Sequence, residues 1–253
     1  MASYHPEPYW NNVAARIAAR SGFNIIAGDD EPYYRYKRKR FLKLLHAISF
    51  AGKTVLEIGC GPGGNLLEIY KQHPKALQGV DISEQMIALA TKTIAGTTIQ
   101  VQKTDGTTLP FAENDFDVSF TSTVLQHNTD EPMLHKLVAE ISRVTSSDTY
   151  IFERIENKIR GTELCIGRPG AYYQTLFGQH GFALMETTFL NIPASYFVSG
   201  VIRKLFNGRS KNEGEPISNA ARFLQNSLLP VTALFDPLIK QKRELALLHF
   251  KRK

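Results

Sequence analysis

With 253 residues, 43% hydrophobic and 21% charged, the chain is long enough to bury one full α/β core and reads as an ordinary globular protein, not a disordered or fibrous one. Lys and Arg total 30 against 24 Asp and Glu, and the resulting +6 permits an anionic partner without requiring one. The two cysteines, Cys60 and Cys165, sit in no CxxC and exclude a disulfide framework, and no signal-peptide pattern or membrane-length apolar run is found, so a cytoplasmic location is expected.

About 50 residues with helical patterning come first. In "DDEPYYRYKRKRF", Asp30 can cap a helix with Glu31 and Pro32 in its first turn. Phe41, Leu44, Leu45 and Ile48 form its inward stripe, Tyr34 and Lys37 lie over that stripe, Tyr33 and Arg38 flank it, and Arg35, Tyr36 and Lys39 point away. Buried strands are expected at "TVLEIGC" (54–60), "ALQGVDI" (76–82), "TIQVQ" (98–102), "FDVSFTST" (116–123) and "TYIFERI" (149–155). Helices are expected from about Asn65 to Gln72, after the cap Ser83, and over 131–144, where Met133, Leu134, Leu137, Val138 and Ile141 share a face. A short helix in "RPGAYYQTLFGQHGF" follows, and "ALMETTFL" and "ELALLHFKR" are the last strands. This alternation predicts right-handed βαβ units and a mostly parallel sheet. Residues 191–242 interrupt it as a helical insertion with Gly208, Gly214 and Pro216 in a loop.

The organisation expected is therefore a single domain over 1–253. It comprises a helical lid (1–50), a core (51–190), an insertion covering a substrate (191–242) and a final strand (243–253).

"VLEIGCGPGGN" (55–65) is the most informative segment. Its glycines allow positive φ and let a ligand lie on the backbone at a helix start. A dinucleotide fold uses such a turn for a pyrophosphate. Here the spacing is G-x-G-x-G-G, and Glu57 sits two residues before Gly59. A carboxylate repels a diphosphate and favours an ammonium group, so a cationic ligand lying along Gly59 and Gly61 is expected. Asp81 ends the second strand 22 residues after Gly59, as a ribose diol acceptor does, with Ile82 placed against a base. Asp105 and Gly106 follow the third strand; Asp105 either accepts from an exocyclic amine or caps the Asp-Gly turn.

Together these segments resemble the class I S-adenosylmethionine-dependent methyltransferases. "LEIGCGPGGN" matches the family's E/D-x-G-x-G-x-G loop and "GVDIS" its second-strand acid. "KTDGTTLPFAENDFDVSF" and "TSTVLQHNTD" are similar to the stretches around its fourth strand. The match covers 53 to about 155. The resemblance implies a Rossmann-like seven-stranded sheet with an antiparallel last strand and S-adenosyl-L-methionine as cofactor, leaving as S-adenosyl-L-homocysteine. It places Glu57 near the methionyl amine, Gly59 and Gly61 along the methionyl backbone, Asp81 on the ribose, and Asp105 and Gly106 at the adenine. It also implies that Tyr33, Tyr34 and Lys37 close over the cofactor.

His127 is the general-base candidate, with a structural role in the loop as the other reading. Thr123 and Gln126 stand where some relatives carry acids, so no metal is expected. Arg168, Tyr172 and Tyr173 suit an anionic or hydroxylated acceptor, with surface arginine and packed tyrosines as the alternative. The 195–211 segment either covers the acceptor or, as a basic amphipathic helix bearing Arg203, Lys204, Arg209 and Lys211, meets a lipid surface. The function expected is methyl transfer to an O or N atom of a small molecule. A nucleic-acid methyltransferase is the alternative, disfavoured because no Asn-Pro-Pro-Tyr-like tetrad follows the fourth strand. Oligomeric state is left open, a homodimer being one option.

Overall fold

A computed structural model describes residues 6–19, 26, 29–207, 215–240 and 242–253. The expected loop residues Gly208 and Gly214, and Arg209 and Lys211, lie outside these. Strands β1 (Thr54–Ile58), β2 (Ala76–Asp81), β3 (Gln100–Lys103), β4 (Phe116–Ser122), β5 (Thr145–Ile155), β8 (Phe182–Phe189) and β9 (Glu244–Arg252) form one seven-stranded sheet in the order β3-β2-β1-β4-β5-β9-β8. The first five are parallel, and β9 runs antiparallel between β5 and β8. A small separate hairpin, β6 (Arg160–Thr162) and β7 (Cys165–Gly167), was not expected from sequence.

Helices α3 (Gly64–Tyr70), α4 (Glu84–Thr93), α5 (Glu131–Val144) and α6 (Gly170–Gly178) make the connections. Ser83 and Asp130 cap α4 and α5 by accepting from Met86 N and Met133 N. The central strands are apolar on both faces, as a sheet covered on both sides requires. Leu56, Ile58 and Ile151 bury against α5 and α6, and Val55, Phe120 and Phe152 bury against Phe41 and Leu45 of α2 (Pro32–Ala47).

Helix α1 (Pro6–Ala18) packs on α4 through Val13, Ala14, Ile17 and Met86. The insertion forms helices α7 (Pro193–Phe206) and α8 (Asn219–Phe235), which pack on each other and on α2. Its two ends meet at the β8–β9 hairpin, where Leu190 N donates to Leu245 O at 2.9 Å.

The start of α2 differs from the sequence expectation. Glu31, not Asp30, occupies the N-cap position, and its side chain makes no cap bond. Glu31 is buried against Gln225 and Arg203, and Asp30 instead takes Arg35 in a two-pronged ion pair. Tyr36 does not point away either: its hydroxyl donates to the buried Asp236 at 2.7 Å. The cause is the insertion, which covers a side of α2 that helical phase alone leaves to solvent.

Candidate active site

At the carboxyl ends of β1, β2 and β4 lies a cleft of about 110 Å³. The glycine loop forms its floor. Gly59 and Gly61 have φ of 71° and 52°, and a Cβ at Gly59 would come within 2.2 Å of Val124 Cγ2, so the loop admits no side chain there. Beneath it Glu57 is wholly buried. Asn65 Nδ2 donates to its Oε1 at 2.7 Å, while Oε2 has no hydrogen-bond partner among the described residues. Burial outweighs the help from Asn65 and Arg38 and pushes the Glu57 carboxyl up to about 8. Arg38, itself buried enough to lower its pKa, reaches Asn65 Oδ1 beside it.

Asp81 is held at both oxygens: Gly61 N donates to Oδ2 and Ser83 N to Oδ1, each at 2.9 Å. Burial still raises its pKa to about 6. Ile82, Met86, Met133 and Leu137 give the cleft an apolar wall, and Gly106 packs so near Ile82 that a Cβ would come within 2.8 Å of Ile82 Cδ1. Asp105 takes the turn-capping alternative. Its Oδ1 accepts from Thr107 N and Thr108 N at 2.7 and 2.6 Å, and the flanking Thr104 and Gly106 line the cleft.

The loop after β4 is the far wall. It is fastened by Glu153, wholly buried, whose carboxylate accepts from Val124 N, Leu125 N and Gln126 N at 2.9–3.0 Å. Burial raises the Glu153 pKa to about 7 against those three donors. Arg168 pins the same loop from below. It is fully buried and donates to Leu125 O and Asn128 O at 3.0 Å and to Glu131 at 2.8 Å. Tyr172 donates to the same Glu131, and Tyr173 lies in the core. The structure thus places Arg168, Tyr172 and Tyr173 under the loop and away from the cleft, because the glutamate opening α5 offers the guanidinium a partner that sequence could not reveal.

His127 faces the cleft. Gln126 Oε1 accepts from Arg154 N at 2.8 Å, which turns the amide nitrogen toward His127 Nε2 at 3.2 Å. The amide therefore donates to Nε2, and His127 Nδ1, 2.7 Å from Leu164 O, carries the ring proton. Trp10 stands edge-on to His127 with ring centroids 5.0 Å apart. Trp10 and Pro6 of α1 line the cleft, and Asn11 Oδ1 ties that helix to Ser83. The signal was present in sequence, since Trp10, Val13, Ala14 and Ile17 share one helical face.

Tyr33, Tyr34 and Lys37 are not at this cleft. They line a second, more polar cavity of about 220 Å³ with Gln126, Arg154, Tyr196, Arg243 and Glu244, at the ends of β5, β8 and β9. The helix phase that puts Arg38 toward Glu57 carries these three residues past the cleft to its neighbour. The loop after β4 serves both spaces, His127 toward the cleft and Gln126 toward the second cavity. Among the described residues no group of three or more His, Cys, Asp or Glu is placed to hold a metal ion, and no helix is long and apolar enough to cross a membrane.

A sheet in this strand order, with a glycine loop after β1 and an acid at the end of β2, defines the class I S-adenosylmethionine-dependent methyltransferase fold. Residues 55–148 match the family model described as a methyltransferase domain. Among curated relatives, phosphoethanolamine N-methyltransferase 1 of Triticum aestivum is 32% identical over 88 residues, 34% of this chain and 18% of that protein. The O-methyltransferase resE of Aspergillus sclerotiorum is 27% identical over 154 residues, 55% of this chain and 58% of that one. The chain thus spans under a fifth of the wheat protein and somewhat over half of the fungal one. Magnesium protoporphyrin IX methyltransferase from Synechocystis, solved with bound SAM, superposes over the whole of both chains with a TM-score of 0.61 at 13% identity, a likeness of fold.

Proposed function

We propose that the chain transfers a methyl group from S-adenosylmethionine to an O or N atom of a small, hydroxylated or anionic acceptor. The observation that carries this reading is the pair of spaces flanking one loop, a cleft with a cationic-ligand floor and a polar cavity beside it. The residues present fit the cofactor. The unpartnered Glu57 Oε2 suits a positively charged group, Gly59 and Gly106 leave no room for side chains where a ligand would lie, and Asp81 offers acceptor lone pairs beside an apolar wall. When bound, the cofactor would supply an electrophilic methyl on a sulfonium.

The protein's own work is then to position and to exclude water. Glu57, Gly59, Gly61, Asp81, Ile82 and Gly106 hold the cofactor, and Trp10 shuts out water beside His127. Lys37 and Arg243 outnumber Glu244 around the second cavity, Arg154 being matched by the buried Glu156 at 2.7 Å, and its tyrosines add hydroxyl donors. That balance favours an acceptor bearing hydroxyls or negative charge. His127 serves as base when the acceptor must lose a proton: its Nδ1 proton is held by Leu164 O, and its Nε2 lone pair becomes available when Gln126 turns to the acceptor. The relatives named as N- and O-methyltransferases support the two candidate atoms.

Calorimetric titration with S-adenosylhomocysteine tests the first half. One-site binding lost in Asp81→Ala is expected, and absence of binding by the wild type would refute the reading. An acceptor screen tests the second half. Arg154→Gln should raise acceptor KM and leave S-adenosylhomocysteine affinity alone; unchanged KM would remove the second cavity from the acceptor site.

A further inference from the structure

Helices α7 and α8 bury a small apolar seam of Ile202, Ile217 and Ala221 together with polar groups, and leave a second apolar face outside. Ser195, Ser199 and Gln225 are buried at their inner faces, whereas Phe197, Leu205, Phe223 and Leu234 are 70–73% exposed. The orientation is held by specific polar contacts. Ser195 N and Oγ donate to Asp236 at 3.0 and 2.6 Å, Gln225 Oε1 accepts from Tyr33 N at 3.1 Å, and Arg203 pairs with Asp29 at 2.7 Å. Turning either helix over would take these contacts away from the buried Asp236 and Asp29 and from Tyr33 N. The exposed apolar face continues through Leu238, 76% exposed, and a face of this extent marks an interaction surface.

Charge selects the partner. Residues 193–243 hold eight Lys and Arg against three Asp and Glu, so this fifth of the chain carries +5 of the total +6. One of the three acids, Asp236, is buried. Lys204, Arg222 and Lys240 are exposed around the apolar side chains. A second copy of the chain would bring two such positive faces together. A nucleic acid would meet the cations and leave the leucines and phenylalanines in water. A bilayer with anionic headgroups satisfies both features.

We propose that the α7–α8 hairpin docks the protein on the surface of anionic lipid bilayers, its apolar side chains entering the headgroup boundary and its cations meeting lipid phosphates. It lies on the membrane and does not span it, since no helix among the described residues has the length and apolarity to cross. Tyr196, in the first turn of α7, is both 47% exposed on this hairpin and part of the second cavity's lining. On the reading of that cavity as the acceptor site, the acceptor is an amphiphile taken from the bilayer surface.

Vesicle flotation tests the docking. Wild type should float with phosphatidylcholine vesicles containing phosphatidylglycerol, less so at high salt, and stay behind with phosphatidylcholine alone. The combined variant Leu205→Ser, Leu234→Ser, Leu238→Ser should lose at least about tenfold in partition constant. Lys204→Gln, Arg222→Gln and Lys240→Gln should each weaken it about fivefold. S-adenosylhomocysteine affinity and melting temperature, followed in parallel, should not change in these variants, so failure of docking is separable from failure of the cofactor reading. The proposal is overturned if wild type does not float. It is also overturned if neutral and anionic vesicles bind it equally, or if light scattering shows a wild-type dimer that the triple serine variant dissociates.

Discussion

Replacing Glu57 by Gln preserves the shape of the side chain and removes its charge, and the outcome depends on pH in a direction the structure sets. Burial raises the Glu57 pKa from an ordinary 4.5 to about 8. The folded protein therefore binds this proton more tightly than the unfolded chain, and stability falls as pH rises from about 4.5 until Glu57 is ionised in both states near pH 8. Each pH unit inside that window costs about 1.4 kcal/mol, less near its ends, so wild type should lose roughly 3 kcal/mol from this group between about pH 5 and 8. Glu57→Gln lacks the term. Urea denaturation at a series of pH values should show the variant gaining on wild type by that amount across the window. Asp81 and Glu153, raised to about 6 and 7 by burial, bend both curves alike and cancel in the difference. Cofactor affinity should move the other way: the ligand's ammonium group recruits the ionised form, so S-adenosylhomocysteine should bind wild type more tightly as pH rises toward 8 and bind Glu57→Gln weakly with little pH dependence. Parallel denaturation curves for the two proteins would refute the argument that Glu57 is held neutral by burial.

Arg168→Ala should destabilise the protein by about 2–3 kcal/mol in urea titration, because it takes the donor from the buried Leu125 carbonyl and the part-buried Asn128 carbonyl and, of the two side chains that donate to Glu131, leaves only Tyr172; a raised acceptor KM with unchanged stability would instead return Arg168 to the acceptor site. Gly59→Ala should abolish S-adenosylhomocysteine binding, since its Cβ meets Val124. Adding Val124→Ala should restore binding in part, leaving about 1 kcal/mol of backbone strain at φ 71°. Trp10→Ala should weaken S-adenosylhomocysteine binding about three- to tenfold by calorimetry, with His127 losing its edge-on neighbour.

The positions and parallel direction of the first five strands could be read from short runs punctuated by Gly, Asp and Asn, and β1, β2, β4 and β5 stand out as apolar because buried parallel strands admit little else. The cleft was legible for a related reason: Gly59, Gly61, Asp81 and Gly106 occupy turns whose conformation and charge few other residues tolerate. β5 begins at Thr145, four residues earlier than "TYIFERI", because β4 and β9 supply hydrogen-bond partners that make a polar "TSSD" extended. Arg168 reads in sequence as an acceptor contact or a surface cation because nothing local shows that Glu131, 37 residues away, will face it. Tyr33, Tyr34 and Lys37 lie at the expected end of the sheet but line the second cavity and not the cleft. Helical phase gives a direction around α2 but does not say which of two neighbouring hollows lies there. Glu153 left no trace in composition or periodicity, since its role is to collect three backbone donors from a different connection.

The closing bond between Leu190 and Leu245 has an evolutionary reading. The insertion leaves and re-enters the sheet at adjacent rungs of one antiparallel hairpin, so its length and content are not coupled to strand register. β1 to β4 and the cleft they carry would keep their geometry if the helices between β8 and β9 were exchanged for others. The chain is built as a fixed sheet with a replaceable cartridge, and change in the cartridge can alter the outer surface without disturbing the cleft.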